Sequence, residues 1–201
     1  LLIVLDYLGF QEAIPYYKNQ AGSSNEKVAK ETIFAFLDSK IDSIPNLVLS
    51  GETRKRIQRQ WKLKTDSERK LLSDILPRID LQKEQIEKIL AEDRAKNGIL
   101  ADLTEVIDNP YVLSEQFVGY DPDDRISFNK IDHGVLPSPE LGLQPLMEKD
   151  DARRFRALYV ERLQKERIHS FVSAENILHD VNNKLSFFPD WKRHQFNLRY
   201  L

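Results

Sequence analysis

Apolar residues recur at intervals of three and four along most of the chain, the spacing that puts side chains on one face of an α-helix. The pattern predicts a helix within 1–17 that ends near Pro15. A second helix is expected to start after a cap at Asn25 and to reach about Lys40. Its predicted apolar face consists of Val28, Ile33, Phe34, Phe36 and Leu37.

Capping residues divide the next part of the chain into short helices. Ser50 is a plausible N-cap for a helix over 52–62, with Ile57 and Trp61 on its inner face. Thr65 and Glu68 have the spacing of a capping box, which predicts that another helix starts here. Its core residues would be Leu71, Leu72, Ile75 and Leu76, before Pro77 ends it. A helix capped by Asp80 would bury Ile86, Ile89 and Leu90, and one more, over 100–107, would end at Asn109-Pro110.

The segment 119–150 loses this periodicity and is rich in proline and glycine, so it is expected to be a loop-rich connector. Helical spacing returns from Asp150, and Ser173 can cap a further helix after an extended turn at 168–172. The two predicted apolar faces hold Phe155, Leu158, Tyr159 and Leu163 in the first helix, and Ile177, Leu178, Val181 and Leu185 in the second. A helix, a turn and a capped helix form a helix-turn-helix outline.

These elements predict an all-α chain in four parts. A helical lead over 1–49 precedes a helix-hairpin-helix-like bundle over 50–118. The Pro-rich connector over 119–150 leads to a helix-turn-helix-like segment over 151–201.

Composition narrows the class of protein. With 41% hydrophobic and 31% charged residues in 201, a soluble globular protein is expected. The absence of cysteine excludes disulfides and thiolate metal sites and fits the reducing cytoplasm. No run of residues is long enough to cross a bilayer, so no membrane partner is expected. Since the chain starts with Leu1, it is expected to be part of a longer protein.

Residue patterns that carry catalysis are missing. Seven glycines leave no glycine-rich phosphate loop, and the four histidines lack metal-ligand spacing. Residues 121–124 (Asp-Pro-Asp-Asp) do not follow the calcium-loop pattern and are expected to be a solvated turn. The sequence therefore predicts no enzyme, no metal and no cofactor in this part of the protein.

Charge is concentrated in one place. Residues 50–70 hold eight lysines and arginines against three acids, a local +5 in a chain of net −2. Such a patch beside a turn attracts a phosphate backbone. The predicted DNA-binding residues are Ser50, Gly51 and Thr53, through backbone and hydroxyl groups, and Arg54, Lys55, Arg56, Arg59 and Lys62, through charge. The alternative is a solvated helix whose cations pair with acids such as Glu84, Glu87 or Asp93.

A second basic segment, 153–167, holds six cations against two acids. It can also be an ordinary amphipathic surface. Trp61 and Tyr111 could stack on bases, but both are expected in the core because they occupy helix-packing positions.

The order of these features resembles the region that precedes the motor in RecD-like superfamily 1 DNA helicases, relatives of the exonuclease V alpha subunit. The resemblance lies in the lead-in 44–49 (IPNLVL), the turn and helix 50–57 (SGETRKRI), the following helix pair and the stop 108–113 (DNPYVL). Residues 154–160 (RFRALYV) and 170–173 (SFVS) are similar to the helical segment after the hairpins of that family. The chain departs from the family pattern in having Gly51 alone where Gly-x-Gly is typical, and in its Pro-rich connector.

The resemblance implies a DNA-binding accessory region that does not read base sequence. Its partners would be single-stranded or forked DNA and the motor domains of the same parent chain. ATP and Mg would bind only in that motor, outside these residues. The alternative from a different class is a helical protein-interaction or regulatory module that does not bind nucleic acid.

Overall fold

The computed structural model describes residues 1–22, 25–119, 124–165 and 173–185. Helices are the only regular elements in these ranges, which confirms the all-α class. The helix-hairpin-helix and helix-turn-helix arrangements stay predictions. The chain divides into two compact units, 1–92 and 93–201, so the boundary falls inside the segment 50–118 that was expected to form one bundle. Of the described helices, none is both long and apolar enough to span a membrane.

The described part of unit 1 contains six α-helices, joined by turns and by a longer non-helical connection over 38–50. They are α1 (Leu2–Tyr7), α2 (Ala13–Ala21), α3 (Glu26–Leu37), α4 (Gly51–Lys62), α5 (Asp66–Lys70) and α6 (Lys83–Leu90). Helix α3 packs on both α2 and α4, while α1 packs on α6. The fully buried side chains that hold the unit together include Leu5, Phe10, Ile33, Phe36, Leu37, Ile57, Leu71 and Ile86.

The start of unit 1 differs from the prediction. The single helix expected over 1–17 is two helices, because Gly9 adopts φ +64° and turns the chain between α1 and α2. Pro15 does not end a helix. It is the third residue of α2, where the backbone N–H has no intrahelical partner and its loss costs little.

Helix α3 also needs two corrections. Val28, which was predicted to lie on the apolar face, is 58% exposed. Its neighbour Ala29 is buried in the core instead. Asn25 precedes the helix, but its side chain makes no capping hydrogen bond. The other four apolar positions of the predicted face are buried, and the helix ends at Leu37 rather than near Lys40.

The segment after α5 changes its helical winding. Thr65 and Glu68 close the predicted capping box, and the chain then forms a π-helical turn, Leu71–Ile75, and a 3-10 turn, Leu76–Arg78. In an α-helix the ring of Pro77 would clash with the carbonyl four residues earlier. The π turn avoids this register, since the Leu76 N–H bonds to the Leu71 carbonyl, five residues back. The helical segment therefore continues through Pro77 and ends at Arg78, one residue later.

The cap of α6 is Gln82 rather than the predicted Asp80. Gln82 and Gln85 form a reciprocal capping box, in which each side chain bonds the backbone N–H of the other residue. Ile86 and Ile89 are buried as predicted, whereas Leu90 is only half-buried.

The described residues of unit 2 contain five α-helices. They are α7 (Leu103–Asp108), α8 (Val112–Gln116), α9 (Phe128–Val135), α10 (Ala152–Lys165) and α11 (Ala174–Leu185). The predicted loop-rich connector is wrong over 128–135, because α9 lies there with Phe128, Ile131 and Val135 buried. Ser127 caps this helix by accepting the Lys130 N–H.

Helix α10 packs on α8, α9 and α11. Phe155 and Leu158 are buried as predicted, but Leu163 is 44% exposed and the buried face includes Arg154 instead. The Arg154 guanidinium bonds both carboxylate oxygens of Asp132 on α9, at 2.7 and 2.9 Å. The Tyr111 hydroxyl donates to the same carboxylate at 2.5 Å. A buried, charged network therefore joins the α7–α8 turn, α9 and α10.

The predicted helix after Ser173 is present, with Ile177, Val181 and Leu185 buried and Leu178 half-buried. The extended turn predicted over 168–172 lies outside the described residues, as do 121–123 of the predicted Asp-rich turn.

Candidate nucleic-acid interface

Helix α4 is held in one rotational setting by its inner face. Ile57 and Trp61 are buried there, and the Trp61 ring lies 5.6 Å from the ring of Phe34, centroid to centroid. Two side chains of α4 donate hydrogen bonds of 2.8 Å to the end of α3: the Gln58 amide to the Phe36 carbonyl, and the Trp61 indole N–H to Asp38 Oδ1. These contacts determine which residues of α4 face solvent.

The Asp38 carboxylate that receives the indole stays ionised at neutral pH. Partial burial acts to raise its pKa, but hydrogen bonds from Lys40 and Trp61 outweigh that effect and lower it. Lys40 Nζ lies 2.9 Å from Asp38 Oδ2. The anchor between α3 and α4 is thus a charge-assisted hydrogen bond, which is stronger than a neutral one.

Four cations occupy the exposed side of α4: Lys55, Arg56, Arg59 and Lys62. Lys55, Arg59 and Lys62 have no hydrogen-bond or ion-pair partner among the described residues, and we refer to them as the α4 stripe. At 3.6 residues per turn, positions 55, 59 and 62 lie within about 60° of arc on the helix surface. The stripe is therefore a single line of free positive charge.

A shallow groove of about 440 Å³ runs along the same side of the helix. It is lined by Glu52, Lys55, Arg56, Arg59, Gln60 and Leu63. Arg56 is fixed within it, because its guanidinium donates to the Gly9 carbonyl at 3.2 Å and to Gln60 Oε1 at 3.4 Å. Leu63 at the end of the helix is 76% exposed. The groove thus combines cationic groups with one exposed apolar side chain.

Arg54 lies outside this line of charge. It is half-buried on the flank of α4 and pairs with Asp42 at 2.5 Å. The alternative interpretation expected pairing with Glu84, Glu87 or Asp93. Arg54 pairs with Asp42 instead of any of these three acids. Asp93 pairs with Lys96.

At the start of α4 the polar groups serve the helix itself. Ser50 is the predicted N-cap: its Oγ accepts the Thr53 N–H at 3.0 Å and donates to the Thr53 hydroxyl at 2.9 Å. Glu52 places a negative charge in the first turn, where the helix dipole favours it and where it would repel a phosphate. A Cβ built on Gly51 would meet no atom within 4 Å, so the backbone there is accessible.

The second basic segment has a different electrostatic character. Each of its described cations has an acidic partner: Arg153 with Asp151, Arg154 with Asp132, Arg156 with Glu115, Arg162 with Asp180 and Lys165 with Glu161. Arg167 lies outside the described residues. The described part of this segment is thus largely neutralised within unit 2, as the amphipathic-surface alternative expects.

Trp61 and Tyr111 lie in the core, as expected, with exposures of 3% and 0%. Glu52, Gln60 and Leu63 line the groove but were not among the predicted binding residues. The helical period places Glu52 and Leu63 opposite Ile57 and Trp61, which would have been enough to include them, whereas Gln60 lies at the side of the helix. Within the described parts of the chain, no group of three or more acids and histidines is placed to hold a metal ion.

Comparison of this chain with protein-family models, curated proteins and solved structures finds no match.

Proposed function

We propose that the chain binds DNA through the phosphate backbone, without reading base sequence, and that the outer face of α4 is the contact surface. The observation that carries the proposal is the α4 stripe: three exposed cations in one line, without acidic partners among the described residues. The rotation of the helix that presents them is fixed by buried contacts.

Free cations favour this use because each one that meets a phosphate releases condensed counterions into solution. A paired cation must first lose its acid, so the stripe offers more binding free energy than the second basic segment. The charge of the two units points the same way. Unit 1 has 15 lysines and arginines against 14 acids, whereas unit 2 has 15 against 18.

The resemblance to the pre-motor region of RecD-like helicases supports the same proposal through the order of its sequence features. In that setting the chain would be a DNA-handling accessory region, with ATP hydrolysis in a motor outside these residues. Ser50, Gly51 and Thr53 lie at the N-terminal end of the same helix, beside the cationic surface.

A second candidate, a protein-interaction module, is favoured by one observation. The exposed Leu63 lies in the same groove as Lys55 and Arg59, a combination that suits an acidic partner with an apolar contact. The two candidates differ in which groups of the groove they need. DNA binding needs only the positive charges, whereas a protein partner would also contact Leu63.

Fluorescence anisotropy tests the proposal, with labelled single-stranded, duplex and forked DNA at several salt concentrations. The test variant reverses two charges of the stripe, Lys55→Glu with Lys62→Glu. The matched control reverses two exposed lysines on other helices, Lys18→Glu with Lys27→Glu, and so has the same net charge. We expect the test variant to lose binding at low salt and the control to keep most of it.

Circular dichroism of both variants shows whether each is folded. If the folded wild-type chain fails to bind any of the DNAs at low salt, the proposal is wrong. Equal loss of binding in both variants would show that total charge, rather than the α4 surface, is responsible. Loss of DNA binding in Leu63→Ser, with the charges unchanged, would show that the contact needs the exposed apolar side chain as well as the cations.

A further inference from the structure

The α4 stripe also points to how much of the DNA is contacted. We infer that α4 engages about three consecutive phosphates of one strand through its outer face, and that it makes no contact with bases. This inference rests on the proposed function and specifies the part of the nucleic acid that the site recognises.

The footprint follows from helix geometry. Lys55 and Lys62 are seven residues apart, and at ~1.5 Å rise per residue the stripe is about 10 Å long. One strand of B-DNA presents a phosphate per ~3.4 Å of axis, and neighbouring phosphates lie farther apart along the winding strand, so with its flexible side chains a stripe of this length can reach at most about three phosphates. Three cations therefore meet three anions along one line.

Aromatic stacking on bases is disfavoured by what lines the surface. Such stacking needs an exposed aromatic face. Trp61 belongs to the same helix, but its ring is buried against Phe34 and its N–H is bonded to Asp38. The groove residues include no aromatic side chain. Of the other polar groove residues, Arg56 is a cationic donor, Gln60 Oε1 accepts from Arg56, and Glu52 is negative.

The N-terminal turn of α4 adds little to this contact. The hydroxyls of Ser50 and Thr53 bond to each other, and Glu52 is negative. Arg54 is committed to Asp42. Phosphate binding by the side chains on the outer face of a helix differs from binding by the free N–H groups of a hairpin turn. The first depends on Lys55, Arg59 and Lys62, and the second on the backbone at Gly51.

The number of phosphate contacts determines how steeply the binding constant falls with salt. Three phosphate contacts give a slope of log K against log salt of about −3 for duplex and about −2 for single strands. One contact corresponds to about an eight-fold change in affinity between 1 M and 0.1 M salt. Because no bases take part, an abasic single strand should bind as well as a normal one.

The experiment measures these slopes for the full 201-residue chain and for single variants. Lys55→Gln, Arg59→Gln and Lys62→Gln should each weaken binding about five- to ten-fold at 0.1 M salt and reduce the duplex slope by about one. Lys18→Gln and Lys27→Gln serve as controls, and their slopes should equal that of the wild-type chain. Gly51→Ala probes the N-terminal turn, which by this inference takes no part in binding.

The outcomes separate this inference from the proposed function. Salt-dependent binding whose slope the stripe variants leave unchanged would overturn the inference and leave DNA binding in place. A large loss on the abasic strand, or a loss in Gly51→Ala, would do the same, because bases or the N-terminal turn would then take part. Absence of any salt-dependent binding would overturn the proposed function itself.

Discussion

The buried charge network of unit 2 allows a quantitative prediction for Asp132→Asn. The side chains of Asp132 and Arg154 are 3% and 2% exposed, so the pair is removed from water. Asparagine has nearly the same shape, but it removes the negative charge and leaves the guanidinium uncompensated. Breaking a buried ion pair from one side costs about 3–5 kcal/mol.

Local hydrogen bonds place the expected value at the lower end of that range. Arg154 Nη1 also donates to the Lys149 carbonyl at 2.8 Å, and the amide oxygen of Asn can still accept a hydrogen bond. We therefore expect a loss of about 3 kcal/mol in the free energy of unfolding, a large share of the ~5–15 kcal/mol typical of a domain.

Two further variants show whether the charge is the cause. Tyr111→Phe removes only the hydroxyl, while the ring stays stacked on Phe128 at 5.6 Å, and should cost about 1.5–3 kcal/mol. The double variant Asp132→Leu with Arg154→Met removes both charges and should recover most of the stability, since apolar residues often replace a buried pair without loss.

Urea unfolding followed by far-UV circular dichroism gives the free energies, and hydrogen exchange of α9 and α10 assigns the loss to unit 2. A loss below 1 kcal/mol in Asp132→Asn would refute the reasoning. A double variant as unstable as the single one would show that shape, rather than charge, is the larger effect.

Three other substitutions test separate features of the fold. The Glu115 side chain is 4% exposed, and one of its oxygens has no partner among the described residues. Burial raises its pKa above the ordinary 4.5 despite the ion pair with Arg156. Its contribution to stability is therefore complete below about pH 4.5 and is lost as the pH rises through the higher folded-state pKa. We expect Glu115→Gln to be more stable than the wild-type chain at pH 7 and to show a flatter pH profile in urea titrations. Thr65→Ala breaks the capping box and should lower the free energy of unfolding by about 1 kcal/mol in the same assay. Gly98→Ala should destabilise unit 2, because Gly98 has φ +83° and a Cβ there would lie 2.4 Å from the Gln116 carbonyl oxygen; an unchanged thermal midpoint would contradict this geometry.

Several features that depend on neighbouring residues could be read from the sequence, although the caps expected at Asn25 and Asp80 were wrong. The caps at Ser50 and Thr65 are bonds to an N–H three residues later, so residue type and spacing determine them. Ile57 and Trp61 were found for the same reason, because helical period alone places them on one face.

Features that depend on distant contacts were missed. Arg154 is a buried arginine only because Asp132, 22 residues earlier, supplies both oxygens. Helix α9 was hidden by the prolines and glycines around it, since an eight-residue helix offers only three strong apolar positions. For the candidate site, the line of cations was visible in the sequence, but their pairing was not. Arg54 finds its acid 12 residues away in the chain, and local charge counts say nothing about that.

The long connection between α3 and α4 has a practical consequence. Residues 38–50 contain no helix, and Ser39 and Asn46 adopt left-handed backbone conformations that set its turns. Val48 projects from it with 96% of its surface exposed. A cysteine there would be unique in a chain that has no other, so a single fluorophore or spin label could be attached without touching the core. Such a reporter would lie two residues from the Ser50 cap of α4 and would register events on that helix directly.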